Sequence, residues 1–279
     1  MYNQDMFRFI TTVLFLGALV AGGWYLWERF PIMRDLLEQK VHSREFRTLE
    51  IRYSADEIMK RYKHELLKGK GYSFLEPKLV FYPYLMMEMK FSRDNIFTEE
   101  GLLLWGLYDG EMVIDTGTWA RSHGFEDCLI AHANKDDFKI LRGILEMGNS
   151  IDRELLYKKF KAEPEIVDKW VSSCREKKLI VASGNKFRIH LQNPQIEVIP
   201  ITNLAEPLVT QPTKAALKMK RRYSVSQIKH LTEIAFGNSF AIRKIEQVFL
   251  PVYQISIQNP DGSTRTTYWN ALNGEPFIH

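Results

Sequence analysis

At 279 residues, with 45% hydrophobic and 26% charged residues, the chain has enough apolar surface for buried cores and lacks the composition of a disordered, collagenous or disulfide-stapled polypeptide. A net charge of +4 over this length is mild and demands no anionic partner. The two cysteines, Cys128 and Cys174, are too far apart to be read as a disulfide framework, so they leave the redox compartment open.

The first element is apolar. "FITTVLFLGALVAGGWYLW", Phe9 to Trp27, carries no charge and has about the length a helix needs to cross a bilayer, with aromatics at both ends as interfacial anchors. We expect a tail at 1–8, a transmembrane helix at 9–27 and a juxtamembrane helix or linker at 28–49. A cleaved signal peptide is the competing reading. Against it, "MYNQDMFR" is barely basic and contains Asp5, and a small-x-small site occurs only at Ala21-Gly22-Gly23. Arg29, Arg34, Lys40, Arg44 and Arg47 follow the segment while Arg8 alone precedes it, so the positive-inside rule favours a single-pass protein with a cytoplasmic body. Ala18 and Gly22 form a small-xxx-small pair of the kind that packs membrane helices.

Residues 50–118 read as an α+β module. Ser54 can cap a helix bearing Ile58, Tyr62 and Leu66 at helical spacing, and alternating segments follow, joined by the long hairpin "SRDNIFTEEG". The module ends in "DGEMVIDTGTW", where Asp115-Thr116-Gly117 spells the signature of an aspartic protease half-site. Such enzymes need two carboxylates sharing a proton, and no second Asp-Thr-Gly occurs. The segment is therefore expected to be a strand end and loop in which Asp115 or Thr116 caps the following turn, with protease activity a remote alternative.

Residues 119–134 are expected to be a linker. They carry His123, Cys128 and His132, two of them one helical turn apart, which could present ligands to zinc. A structural site wants four ligands, so no metal or other cofactor is expected.

Residues 135–192 have a layout of their own. Phe138, Ile140, Leu141, Ile144 and Leu145 make an amphipathic helix ending near Gly148-Asn149. Asp152 can cap a second helix with Leu155, Leu156 and Phe160, and Glu163-Pro164 opens a third with Ile166, Val167, Trp170, Val171 and Cys174 inward. "LIVASGNKFRIHL" reads as two strands around Ser183-Gly184-Asn185-Lys186. This order resembles the winged-helix family. A member of that family that reads DNA would place its third helix in the major groove, yet here that helix begins with Glu163, Glu165 and Asp168, which a polyanion repels. The candidate contacts to nucleic acid or another anionic surface are Lys169, Arg175, Lys177, Lys178, Lys186 and Arg188 here, with Lys218, Lys220, Arg221 and Arg222 downstream. The helix polarity favours protein interaction over DNA.

The linker at 193–213, "QNPQIEVIPITNLAEPLVTQP", contains four prolines and reads as an extended strap that can add a strand to a neighbouring sheet. A basic run, "KAALKMKRRYS", then leads into a second α+β module at 214–279. Ser224 can cap a helix with Ile228, Leu231, Ile234 and Ala235, Val248 to Ile257 mostly alternate, and "NPDGS" is a strong hairpin turn.

The two modules share strings in one order. "RYSADEI" at Arg52 returns as "RYSVSQI" at Arg222, "SFLEPKLVFYPYLMMEMKF" as "SFAIRKIEQVFLPVYQISIQ", and "GLYDGEMVID" at Gly106 as "NALNGEPFIH" at Asn270. The second copy, with its "Y-x-V"-type strand, Asp-Gly hairpin and "NALNGE" turn, resembles a PepSY-type domain. That resemblance implies a non-catalytic binding or inhibitory module, often at the cell envelope, and carries over no catalytic residue. The expected architecture is α+β: an N-terminal transmembrane helix, then two helix-plus-antiparallel-hairpin modules flanking a winged-helix domain. The expected role is a non-catalytic interaction, assembly or regulatory factor. Its partners are the bilayer and a protein, with no small-molecule substrate, and a membrane-tethered DNA-binding regulator is the alternative.

Overall fold

The computed structural model describes residues 45–92, 98–204, 207–212, 216–237 and 240–277. The expected membrane helix at 9–27, with the segments around it up to residue 44, lies outside the described residues, as does the first hairpin's tip at 93–97. No described helix is long and apolar enough to cross a membrane. The chain divides into two compact units, Met1–Phe46 with Pro212–Lys214 and Arg47–Gln211 with Ala215–His279. Apart from Glu45, Phe46 and Pro212, the first lies outside the described residues.

The fold is mixed α+β, built on a curled ten-stranded sheet whose short strands include β2 (Ser73–Phe74), β6 (Ala120–Arg121) and β10 (Leu208–Pro212). At its centre two long strands, β3 (Lys78–Ser92) and β12 (Phe240–Gln258), run antiparallel, with Tyr82 opposite Leu250, Phe81 opposite Pro251 and Pro83 opposite Phe249. The strings Phe81-Tyr82-Pro83 and Phe249-Leu250-Pro251 correspond in sequence, so this register puts an approximate two-fold axis through the Tyr82–Leu250 pair. Other contacts obey the same axis. Strand β1 (Glu45–Leu49) runs parallel to β12 with Thr48 opposite Phe249, and β11 (Leu217–Lys218) runs parallel to β3 with Lys218 opposite Phe81. Strand β4 (Thr98–Gly106) sets Gly106 opposite Tyr84, as β13 (Thr264–Asn270) sets Asn270 opposite Val252. Even the turns match: the Gly106 N–H donates to the Glu111 carbonyl at 2.9 Å and the Asn270 N–H to the Glu275 carbonyl at 2.9 Å.

The halves are not self-contained. Helices α1 (Ala55–Arg61) and α2 (Lys63–Leu66) bury Ile58 and Leu66 against Ile255, Ile257 and Trp269 of the second half's hairpin. Two short helices, α3 (Phe125–Ile130) and α4 (Lys135–Leu145), follow the first half. The second half's helix, α7 (Val225–Phe236), buries Ile228, Leu231 and Ala235 in a core with Leu85, Met87, Met89, Leu103 and Trp105 of the first half's hairpin. The cause is the strand before each helix. Because β1 pairs with β12 rather than with β3, the chain leaving it starts its helix above the second hairpin, and the converse holds for β11.

Each crossing is held in the same way. The N–H groups of Arg52 and Tyr53 donate to the Ala271 carbonyl at 3.0 and 2.9 Å, and those of Arg222 and Tyr223 to the Leu107 carbonyl at 2.9 and 3.0 Å. The tyrosine rings then press on turn glycines. A Cβ on Gly274 would meet the Tyr53 ring at 3.1 Å and one on Gly110 the Tyr223 ring at 3.1 Å, and both glycines have left-handed φ, 74° and 71°. Each helix opens on a full capping box, Ser54 with Glu57 and Ser224 with Gln227, which satisfies two N-terminal donors reciprocally.

Between the halves sits a six-element body: α4, β7 (Ser150–Asp152), α5 (Arg153–Phe160), α6 (Pro164–Glu176), β8 (Ile180–Ser183) and β9 (Lys186–Ile189), with strand order β7-β9-β8. Strand β7 was not expected; three residues are too short for a periodic signal, and its pairing with β9 makes it a strand. Asp152 stands at the N-cap of α5 but makes no side-chain capping bond. The segments expected to be linkers carry core residues. Phe125 and Cys128 are fully buried, as is Ile196, and Thr202 is nearly so. Ile140, Leu141 and Ile144 of α4 share one core with the sheet and with α7 (Val225–Phe236), so the inserted body is fused to the sheet.

Candidate interaction surface

Two carboxylates near the end of the first half, Asp115 and Glu111, are held in structural bonds. Asp115, at the end of β5 (Met112–Asp115), accepts from the Thr118 N–H at 2.8 Å, the Thr118 hydroxyl at 2.9 Å and the Asn203 amide at 2.6 Å. Those donors, the Thr118 N–H first, hold its carboxyl below the usual range. It closes a turn and ties the 193–213 strap to the sheet. Asp115→Asn is expected to cost about 1 kcal/mol in denaturant unfolding, because the new amide faces the Asn203 amide until one of them turns over.

Glu111 is buried and accepts from the Ser122 hydroxyl at 2.6 Å and from the N–H groups of Gly124 and Glu126 at 2.9 Å each. Burial pushes its carboxyl up, and those three donors offset only part of the effect. It staples the turn to the start of α3. Asp109 pairs with Arg121 beside it. His123, Cys128 and His132 do not form a metal site: among the described residues no three His, Cys, Asp or Glu side chains converge. Cys128 and Cys174 are both fully buried thiols, and burial raises each.

Buried polar bonds brace the inserted body, within itself and against α7. Asp137, fully buried at the third position of α4, accepts from the Asn134 N–H at 2.8 Å, the Ser173 hydroxyl at 2.8 Å and the Lys177 ammonium at 2.5 Å. Arg142 reaches from α4 to the carbonyl of Ala235, in the last turn of α7, where the helix dipole favours a cation.

The ten basic residues singled out from the sequence do not act alike. Lys169 and Arg175 lie on the exposed side of α6, and Arg188 stands on the outward side of the small sheet between Ser150 and Val181. Lys186 shares that side, 3.9 Å from Asp152. Lys178 ends α6 with left-handed backbone, and its carbonyl lies 3.1 Å from a ring nitrogen of His190. Lys177 is turned inward onto Asp137, and Arg222 pairs with Glu126, which also accepts from the Tyr223 hydroxyl. Lys218 lies over the Phe249 ring at 5.0 Å, and burial lowers its pKa; Lys220 and Arg221 follow it on the way to α7. Of the three acids at the start of α6, Asp168 is engaged by Tyr157 and by Arg153 at 3.0 Å, leaving Glu163 and Glu165 exposed.

Apolar exposure is concentrated in the same body. Among the described residues eight large apolar side chains are more than a third exposed, and four of them, Met147 (50%), Leu155 (45%), Ile166 (39%) and Val181 (39%), sit on the inserted elements. Sequence reading placed Ile166 inward. On α6 the inward stripe is Val167, Val171 and Cys174, and Ile166 lies one residue off it. Comparison of the chain with protein-family models, curated proteins and solved structures returns no match.

Proposed function

We propose that this protein is a non-catalytic interaction or assembly factor, anchored to a membrane by residues 9–27, whose inserted body of winged-helix type holds a protein partner. The observation that carries this reading is the exposure of Met147, Leu155, Ile166 and Val181 on a body braced by Asp137 and Arg142. Large exposed apolar side chains mark interaction sites when they gather on one surface, and these four belong to one inserted body, in the turn after α4 and on α5, α6 and β8. The two-fold sheet serves as the platform. Two carboxylates at the start of α6 speak against the groove of duplex DNA, while Lys169, Arg175, Lys186 and Arg188 put exposed positive charge on the same body.

A photo-crosslinking residue placed at Leu155, Ile166 or Val181 in the membrane-bound full chain is expected to give the same protein adduct from all three positions. Binding to duplex DNA that falls steeply with salt and depends on sequence, with no such adduct, would replace this reading with that of a tethered regulator. A reporter fused after His279 fixes which side of the membrane the body occupies, and a position outside the cytoplasm would remove DNA altogether.

A further inference from the structure

The approximate two-fold axis makes one half of the sheet a template for the other. In an antiparallel pair, residues alternate between bonding across the pair and pointing their backbone groups outward. On β4 the outward positions are filled: Leu102 accepts at its carbonyl from the Thr202 N–H at 2.8 Å, and the Leu104 N–H donates to the Thr202 hydroxyl at 2.8 Å. That hydroxyl donates in turn to the Val113 carbonyl at 2.6 Å. The strap adds one main-chain bond to β4 and a one-residue parallel bridge to β5 at Asn203 and Asp115, so it runs antiparallel to β4, with Thr202 wedged where β4 and β5 part. Its Ile201 lies against Gly101, where an added Cβ would sit 3.3 Å from the Ile201 Cγ1.

Counting back from the matched pair Gly106 and Asn270 makes Thr266 the counterpart of Leu102, and Arg265 that of Gly101. The outward groups near the end of β13 are used, since the Asn270 N–H reaches Glu275 and the Tyr268 carbonyl accepts from the Phe277 N–H at 2.8 Å. Thr264 and Thr266 are exposed, and no described residue bonds their outward backbone groups. Thr266 makes its side-chain contact to Ser256 across the pair, 3.0 Å apart, as a position of outward-pointing backbone should.

We propose that the outer edge of β13 at Thr264–Thr266 receives an extended strand of a partner protein, antiparallel to β13, as the strap is received at β4. The proposal rests on the reading of this chain as an interaction factor. The template also sets the ligand's chemistry: a hydroxyl residue faces Thr266, as Thr202 faces Leu102. The residue before it differs from Ile201, because Arg265, which donates to the Leu66 carbonyl at 2.8 Å, stands where the first half has Gly101. An acidic residue there meets the remaining guanidinium donors. Main-chain bonds would supply the affinity and these two side chains the selectivity.

The test uses the full chain and a labelled peptide copied from the strap, Val198 to Leu204, with the residue equivalent to Ile201 replaced by glutamate. Saturable binding is expected, at least tenfold weaker to Thr266→Pro, which removes an outward N–H and leaves the β12 ladder intact, and several-fold weaker when lysine replaces the glutamate. In the wild-type protein the peptide should slow exchange of the Thr266 amide at least tenfold, a readout that stands even if the proline variant fails to fold. Unchanged exchange, or equal binding to the variant, overturns the proposal. So does a concentration-dependent dimer that Thr266→Pro abolishes, which would assign the edge to a second copy. Crosslinks from Leu155 and Ile166 report on the inserted body alone, so loss of strand binding with those crosslinks intact rejects the β13 site without rejecting the interaction role.

Discussion

Trp105→Ala is expected to destabilise the protein by about 3–5 kcal/mol in equilibrium denaturation, the range for removing a fully buried large aromatic. The side chain has no exposure; its ring packs against Phe125 at 4.9 Å and Phe236 at 6.4 Å, and its Nε1 donates to the Gly110 carbonyl at 2.8 Å. Truncation leaves a cavity between β4, α3 and α7 and strips a buried carbonyl of its donor. Where the damage spreads tests the exchange of helices. Because Phe236 belongs to the second half, amide exchange should accelerate in α7, 225–236, while α1 at 55–61 keeps its protection. Faster exchange in α1 with α7 unchanged would mean that each helix covers its own hairpin. Trp269, the two-fold counterpart, packs on Tyr62 at 4.4 Å, so its truncation should loosen α1 and α2 instead.

Asp137→Asn is the second large effect. It keeps the shape of the side chain and removes its charge, leaving Lys177 without its buried partner, and the expected loss is about 2–4 kcal/mol. The lower part of that range applies because Lys177 is 25% exposed and can reach water, whereas Asp137 cannot. Lys177→Met should therefore be the costlier change, since it strands the carboxylate. The loss is also pH-dependent. Burial alone would raise the Asp137 carboxyl, but Lys177, the Asn134 N–H, Ser173 and Cys174 together outweigh it and hold it below the ordinary value. A depressed pKa in the folded state contributes stability that is present above the unfolded value of about 3.9 and is lost as pH falls through the folded value. Wild type and Asp137→Asn should then converge on acidification below about pH 4, as measured by urea unfolding across pH. A constant gap down to pH 2 would show that the carboxylate's charge plays no part.

The candidate surface illustrates why some residues were legible and others were not. Arg188 and Lys186 alternate with the buried Phe187, so a period of two predicts their outward side. Asp137 could have been recognised as the partner of Asn134 in a capping box, a spacing of three residues. Its partner Lys177 could not, because the pairing depends on how α6 crosses α4. Thr202 gave no signal at all: one hydroxyl in a proline-rich strap becomes a wedge only after β4 and β5 diverge beside it.

Local chemistry settled the local pieces. Ser54 and Ser224 cap helices, Pro164 opens one, and Asp261-Gly262 turns a hairpin with Gly262 at φ 82°. These depend on neighbours within a few residues, which any sequence displays. What the tertiary structure decided is partnership: which hairpin each helix covers, and that the spans at 119–134 and 193–213 pack in the core. The first of those outcomes follows from one long-range choice, the parallel pairing of β1 with β12 and of β11 with β3. The repeated strings are compatible with either partner. The choice is made by the summed burial of the assembled sheet, a quantity that no single segment carries.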